Sequence, residues 1–241
     1  MAKPNFIDLP GVAPISILYE DRSVLAIDKP RGWMLVPHSW QKTNWNLQAA
    51  IVSSISAGDF WARSRNLKFL RFVHRLDAET TGVLLLAKSP GALSACSELF
   101  ESHRTEKTYL AVVHGAPKET QWTCHLKLAT YENTPGLMRL DERHGKEAET
   151  IFRVLKTGPK TTLVEARPLT GRTHQIRLHL LAAGCPVVGD VLYGPEKGAS
   201  TRGRSRLALR AVKLAYPDPF QRRNIRIEAP TADFLKEYGF A

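Results

Sequence analysis

Residues 74–82, HRLDAETTG, place His74, Arg75 and Asp77 within four positions and close on Thr80, Thr81 and Gly82. An unperturbed aspartate, with a pKa of about 3.9, is a carboxylate at neutral pH. Such a group is a poor general acid but a competent nucleophile or weak base when it is held in place. Desolvating it alone is costly, so a catalytic aspartate in a closed pocket needs a fixed cation. A second cluster, RPLTGRTHQIRLH at 167–179, offers such cations. In a helix starting near Thr173, His174 and Arg177 lie three residues apart and point along one face. From there Arg177 can fork onto a carboxylate through two N–H groups. Taken alone, Asp77 reads as a turn cap or a partner of Arg75, and Arg177 as a surface cation.

Two other chemistries compete for these residues. His74, His174 and His179 with Asp77 and Asp190 are ligand types for a metal-dependent phosphodiester hydrolase. Yet His174 and His179 are five apart, which turns them away from each other on a helix, and no HxH, HD or HExxH spacing occurs. No metal site is expected. A noncatalytic RNA-binding or chaperone protein is the other reading, with KGASTRGRSR and its Arg202, Arg204 and Arg206 as a phosphate contact. Asp190, in the segment GDVLYG, reads as a turn former rather than a reacting group.

The elements that must position these clusters alternate strands and helices. SVLAID is a short strand ending at the breakers Pro30 and Gly32. TNWNLQAAIVSSIS has Leu47, Ala50, Ile51 and Ile55 at helical spacing, with Thr43 as the candidate N-cap. GVLLLAK, directly after the Asp77 loop, is an apolar run of the kind found in strands covered on both faces. Ser89 and Pro90 open a helix with Leu93, Cys96, Phe100 and His103 as its stripe. EKTYLAVVHG is a strand ended by Gly115, and residues 121–148 form a hairpin or small lobe. AETIFRVLKT and TTLVEARPL alternate as two strands joined across Gly158 and Pro159. THQIRLHLLAAG is a helix with Ile176, Leu180 and Ala183 on one face and Gly184 as its C′ residue. RLALRAVKLAY and NIRIEA are further strands, and Thr231 caps a last short helix. The predicted class is α+β, a large mixed, mostly antiparallel sheet flanked by helices and loops.

With 34 Lys and Arg against 23 Asp and Glu, the net charge is +11, which favours a polyanionic partner and makes nucleic acid the leading one. The 43% hydrophobic and 24% charged content excludes a disordered chain. Cys96, Cys124 and Cys185 lie far apart with no CxxC pair, which argues against a disulfide framework or a zinc knuckle and for buried thiols. No run approaches eighteen apolar residues, and the opening MAKPNFIDLPGVAPIS lacks the apolar stretch of a signal peptide, so the cytosol is expected. At 241 residues one large domain is expected, with residues 1–15 as an N-terminal extension and 16–241 as the single domain.

HRLDAETTGVLLLAK, EKTYLAVVHG and RPLTGRTHQIRLHLLAAGCPVVGDVLYG resemble, in order, the three signature blocks of the RluA-type family of RNA pseudouridine synthases. LYEDRSVLAIDKPRGWMLV is similar to that family's N-terminal strand and turn, so the resemblance covers most of residues 17–217. It implies isomerisation of a uridine in tRNA or rRNA, across a central RNA-binding cleft, by a chain with no cofactor, no metal, no separate N-terminal RNA-binding module and no obligate partner subunit. On the matching positions it implies Asp77 as the catalytic aspartate, Tyr109 as the active-site tyrosine and Arg177 as the basic residue paired with the aspartate. It also implies Arg75 as the side chain that fills the space left by the flipped nucleotide. His74, Thr81, Arg172 and His174, from the same blocks, are expected to bind substrate, and Leu209 to line the pocket against water. The chain departs from the family where Thr81 replaces a usual serine, where Arg210 replaces a frequent histidine, and at VPHSW, so the substrate contacts there are its own.

Overall fold

The computed structural model describes residues 3–35, 45–132, 134–195, 197 and 206–241. In chain order the elements are β1 (Phe6–Ile7), β2 (Ile15–Glu20), β3 (Val24–Lys29), α1 (Leu47–Ala57), α2 (Phe60–Arg63), β4 (Arg71–Phe72), β5 (Thr81–Ala87) and α3 (Pro90–Glu101). They continue as β6 (Glu106–His114), β7 (Gln121–Cys124), β8 (Leu128–Tyr131), β9 (Thr134–Leu140), β10 (Thr150–Thr157) and β11 (Thr161–Pro168). The last are α4 (Gln175–Ala182), β12 (Leu209–Pro217), β13 (Asn224–Glu228) and α5 (Ala232–Glu237). The chain divides into two compact units, Met1–Thr105 with Lys213–Ala229, and Glu106–Val212 with Pro230–Ala241. The class is α+β, as the alternation of patterns predicts.

In the first unit β1 pairs with β2, β2 with β3, and β3 with β5, all antiparallel, while β4 pairs with β5 and the Lys213–Pro217 part of β12 with β13. The apolar run of β5 is buried from Gly82 to Ala87, as a strand covered on both faces must be. Val24, Ala26, Val83 and Leu85 meet Cys96 and Leu99 of α3 and Leu214 and Ile227 of the C-terminal strands in one core.

Helix α3 opens as expected, with Ser89 accepting from the amide of Ala92 and Pro90 at the first turn. Its buried stripe is Ala92, Cys96 and Leu99, one position rotated from the predicted one, and His103 is exposed in a left-handed conformation past the end. Helix α1 is capped by Asn46, whose side chain accepts from the amide of Ala49; Thr43 lies outside the described residues, as does the VPHSW segment.

In the second unit the strand order is β6–β11–β10–β7, antiparallel at each step. Leu110, Val112, Phe152, Val164, Ile176 and Leu180 form its core together with Leu207, Leu209 and Phe234. Residues 121–148 supply both an edge strand, β7, and a separate two-stranded hairpin, β8–β9. Cys96 and Cys185 are buried, whereas Cys124 is half-buried. Thr231 stands at the start of α5 without a side-chain capping bond.

Candidate active site

The Asp77 loop of the first unit is held by a lysine from the end of β3. Lys29 is 0% exposed, and its ammonium donates to the carbonyls of Pro30 (3.0 Å), Ala78 (2.7 Å) and Thr80 (3.0 Å). Three N–H groups meeting three acceptors leave the ammonium satisfied. The amide of Gly32 adds a bond to the Ala78 carbonyl at 2.9 Å, and the Thr80 amide closes a turn on the Asp77 carbonyl at 3.2 Å. Gly32 has φ +82°, a left-handed turn open to glycine without strain. The KPRG segment is thus the scaffold of the next loop as well as a strand end. Burial pushes the Lys29 ammonium down to about 7, against the upward pull of Glu79 and Asp77.

His74 serves the same loop from the other side. Strand β4 stops at Phe72, and the amide of Leu85 donates to His74 Nε2 at 3.1 Å, so the ring takes the place of a strand acceptor. The imidazole stacks on Phe100 with 4.6 Å between centroids. This is a framework role for a residue expected to bind substrate. Asp77 itself is half-buried, Arg75 is exposed beside it, and Thr81 begins β5 half-buried.

In the second unit the helix begins later than the sequence pattern suggests. His174 is its N-cap, with φ +55°, and Gln175 is the first helical residue. His174 and Arg177 therefore do not share a helical face, and the expectation that they do is corrected. The reason is side-chain competition, because Gln175 Oε1 accepts from the Arg172 amide and the Thr170 hydroxyl and so closes the RPLTG turn before the helix can start. Arg172 also donates through Nε to the Glu147 carbonyl at 2.9 Å.

Arg177 is 5% exposed and its guanidinium forks onto Asp190, itself 1% exposed: Nε to Oδ2 at 2.7 Å and Nη2 to Oδ1 at 2.7 Å. The Tyr193 ring covers the guanidinium at 5.0 Å. Burial raises the Asp190 carboxyl, but Arg177 and the amides of Leu192 and Tyr193 outweigh it and hold the group below its usual range. The Tyr193 hydroxyl accepts from the Met138 amide and shares a 2.7 Å bond with His174 Nδ1. Seen alone in the sequence, Arg177 reads as a surface cation and Asp190 as a turn former, and the family resemblance pairs Arg177 with Asp77. Asp190 does fasten the turn, but its second oxygen goes to Arg177. The one-carboxylate, one-guanidinium spacing across GD and THQIR was the available signal.

Tyr109 lies on β6, paired with Ala166 and packed half-buried against the core. Two residues earlier on the same strand face, Lys107 donates to the Thr170 carbonyl at 3.2 Å, and burial pushes it down to about 8. Leu209 is buried in the core of this unit, and Arg210, one of the departures, donates to the Pro230 carbonyl. His179, one of the histidines weighed as a metal ligand and set aside on spacing, bonds Thr150 through Nδ1 and the Leu126 carbonyl through Nε2.

A family model described as RNA pseudouridylate synthase matches residues 23–182. Ribosomal large subunit pseudouridine synthase C of Escherichia coli O157:H7 is 36% identical over 231 residues, covering 91% of this chain and 67% of its own. The protein of the same name from Yersinia pestis is 36% identical over 229 residues, with the same coverage. Among solved structures, human RNA pseudouridylate synthase domain containing 1 superposes with a TM-score of 0.70 at 28% identity, covering 90% of this chain and 83% of its own.

Proposed function

We propose, from the premise that the chain belongs to the RNA pseudouridylate synthase family, that Asp77 is the carboxylate that opens the uridine's glycosidic bond, with Tyr109 and Arg177 as the other catalytic groups. The enzyme isomerises uridine in RNA to pseudouridine. The N1–C1′ bond breaks, a C5–C1′ bond forms, and the C5 proton leaves while N1 gains one. Nothing is oxidised or reduced, so the residues need only activate, hold and move a proton. A base inside a stacked RNA is out of reach of a protein carboxylate, and extruding it costs about a few kcal/mol. Arg75, exposed beside Asp77, is the candidate to offset part of that by filling the vacated stack. Tyr109 presents a flat wall on which the detached uracil can turn without escaping, and its hydroxyl is the candidate acceptor of the C5 proton. Thr81, Arg172 and His174 are proposed contacts to the RNA around the target. His74 and Leu209 are proposed to shape the site rather than to bond the substrate.

The observation that carries the assignment is the loop itself. Lys29 bonds the carbonyls of Ala78 and Thr80, just after Asp77, and that of its own neighbour Pro30, which fixes the backbone that carries the carboxylate. Positioning of this kind is a large part of catalysis by a group that is already ionised. Because the matched relatives are named for the large ribosomal subunit, ribosomal RNA is the substrate class proposed for this chain. We place the reaction in the cytosol, with residues 16–241 acting as one catalytic domain in a monomer.

Asp77→Asn tests the assignment. It should abolish tritium release from ribosomal RNA labelled at uridine C5 while leaving RNA affinity within about two-fold, because the amide keeps the shape and loses the nucleophile. Pseudouridine made by that variant would remove Asp77 from the reaction. Mapping pseudouridines in total RNA from cells with and without the gene identifies the target.

A further inference from the structure

We infer that Asp190 is a positioning residue for the isomerisation, acting through Arg177; this rests on the proposed catalytic role of Arg177. The carboxylate is used completely. Oδ1 accepts from Arg177 Nη2, from the amide of Leu192 at 3.0 Å and from the amide of Tyr193 at 3.1 Å, and Oδ2 accepts from Arg177 Nε. The two amides fix the carboxylate to its own turn, and the fork then fixes the plane of the guanidinium. With Nε and Nη2 committed to Asp190, the plane and the direction of Nη1 are set by the turn at 190–193. The Tyr193 ring closes one face of the guanidinium, and its hydroxyl is tied to the Met138 amide and to His174. Edge and face together leave the cation one orientation, and a cation that must meet developing charge works by orientation.

A turn former alone has no use for a second oxygen directed at a buried arginine. An asparagine at 190 can keep the amide bonds with its one oxygen, but its NH2 then faces Arg177 Nε–H, donor against donor. Asp190→Asn thus breaks the fork while retaining most of the turn.

The test uses the full chain, single-turnover tritium release from ribosomal RNA labelled at uridine C5, RNA affinity, and thermal melting. Arg177→Lys should slow turnover at least 10-fold, since an ammonium cannot replace the planar fork; a wild-type rate would refute the role of Arg177 and this inference with it. Asp190→Asn should lower the rate roughly 10–100-fold with RNA affinity within about two-fold, the scale of loss when a supporting hydrogen bond to a site residue is removed. In the Arg177→Lys background the same change should cost less than about three-fold, because the fork is already gone. A wild-type rate for folded Asp190→Asn, alongside an impaired Arg177→Lys, would overturn the positioning role alone, as would a full second loss in the double variant. Should Asp190→Asn melt below the assay temperature, the apolar pair Arg177→Met with Asp190→Leu replaces the buried ions by groups of similar volume and should fold. Its turnover should match that of Arg177→Met alone within about three-fold, because Asp190 acts only through the guanidinium, and a further 10-fold loss would overturn the inference.

Discussion

At the scale of single residues, Asp77 and Asp190 are held by opposite means. Asp77 owes its place to backbone, through the carbonyls that Lys29 gathers, whereas Asp190 owes its place to amides and to a buried guanidinium. Removing one partner of a buried ion pair costs about 3–5 kcal/mol, because the survivor stays desolvated. Asp190 has its pKa lowered in the folded state from the ordinary 3.8, so the native chain binds fewer protons there than the unfolded one. Its contribution is therefore complete above about pH 4 and disappears as pH falls through the native value. Urea unfolding at pH 7, 4 and 3 should show the wild type losing its advantage over Asp190→Asn only at the acid end; an equal gap at every pH would contradict the linkage. Asp77 and Arg177 were singled out by the resemblance of their blocks to the family, whereas residue type alone reads them as a turn cap and a surface cation. Lys29 and Asp190 were not, because what distinguishes them is burial together with bonds that residue type does not reveal, Lys29 to the carbonyls of Pro30, Ala78 and Thr80, and Asp190 to the Arg177 guanidinium and the amides of its own turn.

At the scale of elements, α4 is anchored by a polar chain running under it. Gln175 Nε2 donates to Thr150 Oγ1 at 2.9 Å, the Thr150 hydroxyl meets His179 Nδ1 at 3.0 Å, and His179 Nε2 donates to the Leu126 carbonyl at 2.9 Å. The direction is fixed by the carbonyl, which requires a proton on Nε2 and leaves Nδ1 to accept. Burial lowers the His179 pKa, so the neutral ring is the native form. This explains why α4 is buried from Gln175 to Leu180 although its sequence carries a glutamine, an arginine and a histidine. Thr150→Val should destabilise the fold by about 2 kcal/mol, since it strands one donor and one acceptor in the interior. Thermal melting reads the loss, and an unchanged midpoint would show that the chain of bonds is dispensable. The pattern at 173–184 was enough to find a helix, but not its first turn, which Gln175 delays by bonding the residues before it.

At the scale of the whole molecule, the net charge of +11 belongs to a chain whose substrate is a polyanion. Affinity for ribosomal RNA should fall at least about 10-fold between 50 and 200 mM salt through counterion release, with the single-turnover rate at saturation nearly constant. Filter binding against salt measures the slope, and a flat response would remove the basic surface from RNA recognition. Among the described residues no helix is long and apolar enough to cross a membrane. Local pattern determined the class, the strands β3, β5, β6, β10 and β11, and the two clusters at 74–82 and 167–179 on which the proposed site rests, because burial periodicity, turn residues and short motifs are written along the chain. Tertiary structure alone decided which carboxylate Arg177 grips, which carbonyls Lys29 gathers and why His179 is neutral. Apart from the Lys29–Pro30 bond, those choices join residues from 13 to 53 positions apart, and such pairings depend on how strands and turns stack in space.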